Sequence, residues 1–146
     1  MRDVQSRRDE RNIPINKVGV RNLQYPITVL DKEHRTQSTV ATISLYADLP
    51  HSFKGTHMSR FIEVFHRYSS DVRMPSFLDM LEELRRRLEA RDAYGELDFS
   101  FFLEKHAPVS GQAAVMSYNC AFKGTVFENR RDFFVAVTVP VTTLCP

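Results

Sequence analysis

Ser38-Thr39-Val40-Ala41-Thr42-Ile43-Ser44-Leu45-Tyr46-Ala47-Asp48-Leu49 decides the fold class. Ala41, Ile43, Leu45 and Ala47 fall on one face and Thr42 and Ser44 on the other, the period of two that marks a half-buried strand. Upstream, Val18 and Val20 and then Ile27 and Val29 repeat the alternation over Val18 to Leu30, and Pro26 confines that strand to a sheet edge or a bulge. The polar run Asp31-Lys32-Glu33-His34 between them predicts a turn, so the two segments read as an antiparallel hairpin.

Downstream, Pro50 ends the strand and the period changes. Met58, Phe61, Ile62, Phe65 and Tyr68 form one stripe of a helix, with Thr56 as its expected N-cap. A second helix carries Phe77, Leu81, Leu84 and Leu88 inward, opened by the capping-box spacing of Ser76 and Asp79 and stopped by Ala93-Tyr94-Gly95. Alternation then returns with Leu97, Phe99, Phe101 and Leu103, and with Ala114, Met116, Tyr118, Cys120 and Phe122. Lys105 to Gln112 joins those two strands, and a last strand is expected to turn Phe133, Val135, Val137, Val139 and Val141 inward after the turn Glu128 to Arg131. Strand, strand, helix, helix and further strands predict an α+β module whose two helices share one face of an antiparallel sheet.

The chain has 146 residues, enough for one core without disulfide support. Residues 1–12 read as a charged arm and 13–146 as one module. The amino terminus mixes both charge signs with no apolar run behind it, which excludes a secretory signal and makes the cytoplasm the expected compartment. No apolar run approaches the roughly 20 residues that span a bilayer, so no membrane partner is expected. A net charge of +2 and a pI near 8.6 fall short of the balance of nucleic-acid binders, whose domain pI exceeds about 9, and no such partner is expected. Arg85-Arg86-Arg87 is interleaved with Glu82, Glu83 and Glu89 at helical spacings, which reads as a solvated, paired face. Cys120 and Cys145 are too few for a disulfide scaffold and are expected to be thiols.

Four places could carry chemistry. Phe53-Lys54-Gly55-Thr56-His57-Met58-Ser59-Arg60 sets two cations, two hydroxyls and a histidine at a helix start, where N–H groups and the helix dipole favour an anion. A plain helix cap flanked by solvated cations accounts for the same residues. Val139-Pro140-Val141-Thr142-Thr143-Leu144-Cys145-Pro146 puts a thiol just past a strand end, where it could ligate a metal, attack as a nucleophile or be inert. Glu104 to Ser110 reads as a structural turn, and Cys120 as a small core residue. The histidines His34, His51, His57, His66 and His106 show no paired-ligand spacing, and only His57 sits among other candidates.

Lys54 to Phe61 (Lys-Gly-Thr-His-Met-Ser-Arg-Phe) and Val139 to Pro146 together resemble the type B GTP cyclohydrolase I family. Asp3-Val4-Gln5, Lys17 to Val20, Tyr25-Pro26-Ile27, Gln37 to Ala41 and Lys105 to Ser110 extend the resemblance over nearly the whole chain in order. It implies the tunnelling fold, with this chain as the first of two modules and the second absent from it. It further implies a homo-oligomer, expected to be a tetramer, with active sites at subunit interfaces. The implied activity is hydrolytic opening of the guanine ring of GTP to 7,8-dihydroneopterin triphosphate and formate, the first step of tetrahydrofolate biosynthesis. The implied cofactor is a divalent metal, Zn²⁺ or Mn²⁺ with Fe²⁺ also admissible. Cys145 matches the first cysteine of the family's Leu-Cys-Pro-Cys motif and would be a ligand, its histidine and glutamate companions falling after Pro146. Lys54, His57, Ser59 and Arg60 would then face the triphosphate, with His57 handling a proton, and this segment alone is expected to be inactive. The alternatives are a non-catalytic tunnelling-fold assembly module and a related nitrile reductase of queuosine synthesis.

Overall fold

In the computed structural model, residues 15–49 and 56–143 are described. β1 (Ile15–Asp31) and β2 (Arg35–Leu49) form the expected hairpin, followed by α1 (Met58–Tyr68), α2 (Met74–Arg87), β3 (Ala93–His106), β4 (Ala113–Val126) and β5 (Arg131–Thr138). The strands lie in the order β1-β2-β3-β4-β5, each antiparallel to the next, with both helices on one face. The fold is therefore the α+β arrangement that the alternations predict, and it is consistent with the tunnelling-fold module that the resemblance implies. Residues 1–12, read as an arm, fall outside the described residues.

β1 is an edge strand, as Pro26 requires, and its register slips between Ile15 and Val18 and again between Val20 and Leu23. Asn22, in the second slip, has φ +56°. The second slip explains why Val18 and Val20 share one parity and Ile27 and Val29 the other, since a one-residue slip moves the pattern to the opposite face.

The core lies between sheet and helices. Ile27, Val29, Ala41, Ile43, Leu45, Ala47 and Leu97 meet Phe61, Val64, Phe65, Phe77, Met80, Leu81 and Leu84. Gly95 and Gly124 are paired across β3 and β4 beneath α2, where an added Cβ would stand 2.9 Å and 2.8 Å from the Leu81 side chain.

Four expectations are corrected. The N-cap of α1 is His57, not Thr56, and it gives no side-chain cap bond. α2 opens at Met74 with Arg73 as N-cap, because Pro75 suits the first turn and the Ser76 hydroxyl accepts the Arg73 N–H at 2.9 Å; Ser76 is thus the third helical residue, not the cap. Ala93-Tyr94-Gly95 does not stop α2 but belongs to β3, with Ala93 paired to Ala47. The helix ends at Leu88, where Glu89 takes φ +52°.

The last strand is the fourth correction. β5 stops at Thr138, and Val135, Val137, Val139 and Val141 are exposed, Val141 by 83%. Only Phe133 packs against the core, in edge contact with Phe77 and Phe122. Val135 stands in the same row as fully buried Leu97 but on the edge strand, so its exposure follows from its lateral place in the sheet.

Candidate functional site

α1 begins with a residue that cannot cap it well and carries no acidic residue in its first turn. His57 has extended backbone (φ −79°, ψ 110°), and its carbonyl accepts the Arg60 N–H at 3.1 Å. His57 and Arg60 are half-buried, whereas Ser59 is exposed. The helix start thus carries positive potential with no acidic residue in its first turn, which is compatible with an anion. Arg60 turns its guanidinium to the neighbouring helix, where Nη1 donates to the Arg87 carbonyl at 3.3 Å. The structure therefore brings His57, Ser59 and Arg60 into one helical turn. Lys54 lies outside the described residues.

This turn sits at a defined end of the sheet. The Asp92 N–H donates to Asp48 Oδ1 at 2.7 Å and the Asp48 N–H to the Asp92 carbonyl at 3.2 Å, joining the close of β2 to the approach to β3 just after α2. Ala47, Ala93, Val126 and Arg131 stand in one row there. The other end of α1 points away, since the Ser69 carbonyl accepts the Thr28 N–H at 2.8 Å. β5 starts in the same row as Asp92's neighbour Ala93 and ends opposite Asn119. Its eight residues span roughly 23 Å at the extended rise of about 3.4 Å. The first turn of α1 therefore lies at the end of the sheet where β5 begins, and β5 ends about midway along the sheet, since β4 runs on past Asn119 to Ala113. Cys145, further along the chain, lies outside the described residues.

No group of three or more His, Cys, Asp or Glu side chains among the described residues is placed to hold a metal. The described part of the chain does not fit a metal centre by itself. Cys120 is half-buried against the core, and burial pushes its thiol up from the usual range, which agrees with a packing role. It stands between two hollows. One, of about 290 Å³, is apolar and flanked by Val29, Met74, Phe101 and Val135. The other, of about 350 Å³, opens on the helix-free face among Thr42, Asp98, Ser100, Asn119 and Thr138.

The other basic segment is structural. Arg85 and Arg86 pair with Glu82 at 2.8 and 2.9 Å and Arg87 with Glu83 at 3.0 Å, as the helical spacing predicts. Arg85 foremost holds the Glu82 carboxyl below its ordinary range. Among the described residues no helix is long and apolar enough to cross a membrane. Glu104 to Ser110 forms the end of β3 and a turn, as read from the sequence. Sequence reasoning missed the Arg60 contact, because its acceptor is a backbone carbonyl that no residue pattern marks. It also missed Lys17, whose ammonium lies 4.4 Å from the Tyr94 ring centre.

Residues 1–146 match the family described as type I GTP cyclohydrolase FolE2. GTP cyclohydrolase FolE2 of Geobacter sulfurreducens is 50% identical over 146 residues, which are all of this chain and 56% of that protein. The Syntrophus aciditrophicus protein of the same name is 51% identical over all of this chain and 57% of its own length, and that of Thermosipho africanus 45% over all of this chain and 56% of its own. The chain spans about half the length of the curated relatives it matches. A match that runs unbroken through both candidate segments, at identities near one residue in two, settles the kinship: the chain belongs to the type I GTP cyclohydrolase FolE2 family.

Proposed function

We propose that this chain is the first module, residues 13–146, of a GTP cyclohydrolase. The enzyme would open the imidazole ring of the guanine base by hydrolysis and release formate and 7,8-dihydroneopterin triphosphate, feeding tetrahydrofolate synthesis. The observation that carries this reading is the whole-chain identity of about half to proteins named GTP cyclohydrolase FolE2.

The start of α1 supports it chemically. A nucleoside triphosphate carries several negative charges, and a helix start with no acidic first-turn residue suits them. In this reading Lys54 supplies a full positive charge, Ser59 donates its hydroxyl to a phosphate oxygen, and His57 moves a proton, a role open to an imidazole because each ring nitrogen can hold or release one. A divalent ion, Zn²⁺, Mn²⁺ or Fe²⁺, belongs to the reading, with Cys145 as one ligand and the remainder outside the described residues.

The same topology favours a homo-oligomer, a tetramer in this reading. β5 leads away from the row where α1 starts, so in this reading a site drawing on both the start of α1 and the segment after β5 takes one element from each of two modules. A GTP-consuming enzyme works where the nucleotide pool is, in the cytoplasm. A second reading, a non-catalytic assembly module, is favoured by the exposed valines of β5 and the segment after it. The nitrile reductase alternative needs an activated cysteine, and the raised thiol of Cys120 counts against that residue.

The test is formate release from GTP by the full-length protein, stripped of metal and then given Zn²⁺, Mn²⁺ or Fe²⁺ separately. Formate with a pterin product is expected with at least one ion. No formate with any of them refutes the enzyme and leaves the assembly module.

A further inference from the structure

We propose that Arg60 is a positioning residue, which acts by fastening the start of α1 to the end of α2 and not by gripping the substrate. The proposal rests on the function read above, since it assigns a role within that site.

The end of α2 can be accounted for carbonyl by carbonyl. Leu84 accepts from Leu88 N–H at 3.0 Å, Arg85 from Ala90 N–H at 2.9 Å and Arg86 from Glu89 N–H at 3.2 Å. Arg87 comes next, and its carbonyl is the one that Arg60 Nη1 reaches, at 3.3 Å. A cationic donor is favoured there because the carboxyl end of a helix carries partial negative charge. Arg87's own side chain is engaged with Glu83, which also accepts from Arg67 and Tyr68 at the end of α1. α1 is thus tied to α2 near both of its ends.

The fastening continues into the sheet. α2 closes at Leu88, and four residues later Asp92 exchanges hydrogen bonds with Asp48. The path from sheet to α2 to Arg60 ends at the turn that holds His57 and Ser59, and Arg60 N–H closes that turn on the His57 carbonyl. A rigid start of α1 would orient the proton-handling His57 relative to a base bound beyond the triphosphate. Small misplacements of such a group cost far more rate than affinity.

The experiment uses full-length protein and the variants Arg60→Met, which loses the donor, and Arg60→Lys, which keeps one. Amide hydrogen exchange without ligand reads the fastening, kcat and KM for GTP read the reaction, and inhibition by inorganic tripolyphosphate reads anion binding. Arg60→Met is expected to speed exchange across residues 58–62 and 84–90 and to lower kcat at least tenfold. Its inhibition constant for tripolyphosphate should stay within threefold, and Arg60→Lys should restore most of the lost kcat. An inhibition constant raised tenfold or more, unchanged exchange, or unchanged kcat overturns the proposal. Should Arg60→Met fail to fold, Arg60→Leu, which likewise lacks a donor, replaces it with the same criteria. Wild-type protein that releases no formate defeats the functional reading instead, while the exchange measurement still reports on the fastening itself.

Discussion

Gly95 and Gly124 face each other across β3 and β4 directly under Phe77 and Leu81 of α2. A Cβ on Gly124 would lie 2.8 Å from Leu81 Cδ1 and 2.9 Å from Phe77 Cε1, and both of those side chains are buried in the core. The helix can rest on the sheet only because this patch is bare. Gly124→Ala is expected to destabilise the protein by about 1–3 kcal/mol, the usual cost of overpacking a dense core. Chemical denaturation of the full-length protein checks it, and a loss below about 0.5 kcal/mol would mean that α2 lifts off freely.

Asp31 predicts a pH dependence. Its buried carboxylate accepts the Glu33 N–H at 2.8 Å, the His34 N–H at 3.3 Å and Gln37 Nε2 at 3.1 Å. Gln37 in turn exchanges two hydrogen bonds with the Phe102 backbone, at 2.9 and 2.7 Å. The Glu33 N–H foremost, with His34 and Gln37, holds the carboxyl below its ordinary value against the opposing effect of burial. A depressed native pKa stabilises the fold above the unfolded value of about 3.9, and that contribution is lost as pH falls through the native pKa. Asp31→Asn should therefore lower the thermal midpoint at neutral pH and flatten its decline below about pH 4. Parallel pH profiles for the two proteins would contradict this.

Cys145 is the residue on which the proposed metal centre turns. In full-length protein, Cys145→Ala should leave the fold intact and reduce bound Zn²⁺ or Mn²⁺ and formate release by about 100-fold or more, since even outer-sphere changes cost roughly 10–100-fold. Metal analysis and circular dichroism on the same sample separate the two effects. Retained metal content would remove the thiol from the ligand set.

The β5 edge predicts the assembly. Pro26 and two register slips interrupt the outer edge of β1, whereas Arg131 to Thr138 contains neither proline nor glycine and leaves Val135 and Val137 more than half exposed. Edges of this kind invite pairing with another strand. Val137→Lys should shift the full-length protein to smaller species in sedimentation while changing module stability by no more than about 0.5 kcal/mol, as for surface positions. An unchanged sedimentation profile would place the interface elsewhere.

The elements themselves were legible because burial imposes periods. Ala41, Ile43, Leu45 and Ala47 revealed β2, and Phe77, Leu81, Leu84 and Leu88 revealed α2, since a side chain must face the core at every second or about every fourth residue. The candidate segments were legible by resemblance, as specific strings of residues. Periodicity failed for Val135 to Val141, because an alternating strand looks the same whether its apolar face meets a helix of this module or a surface outside it. It also failed at the helix starts, where Ser76 can serve as cap or as third residue.

Two relations came only from the tertiary structure. Arg60's partner is a main-chain oxygen 27 residues away, and backbone oxygens carry no residue identity for a sequence to display. The separation of the start of α1 from the end of β5 follows from strand direction and order, which local alternation does not encode. Residue chemistry determined what could bind and react. Chain direction through the sheet decided that β5 leads away from the row where α1 starts.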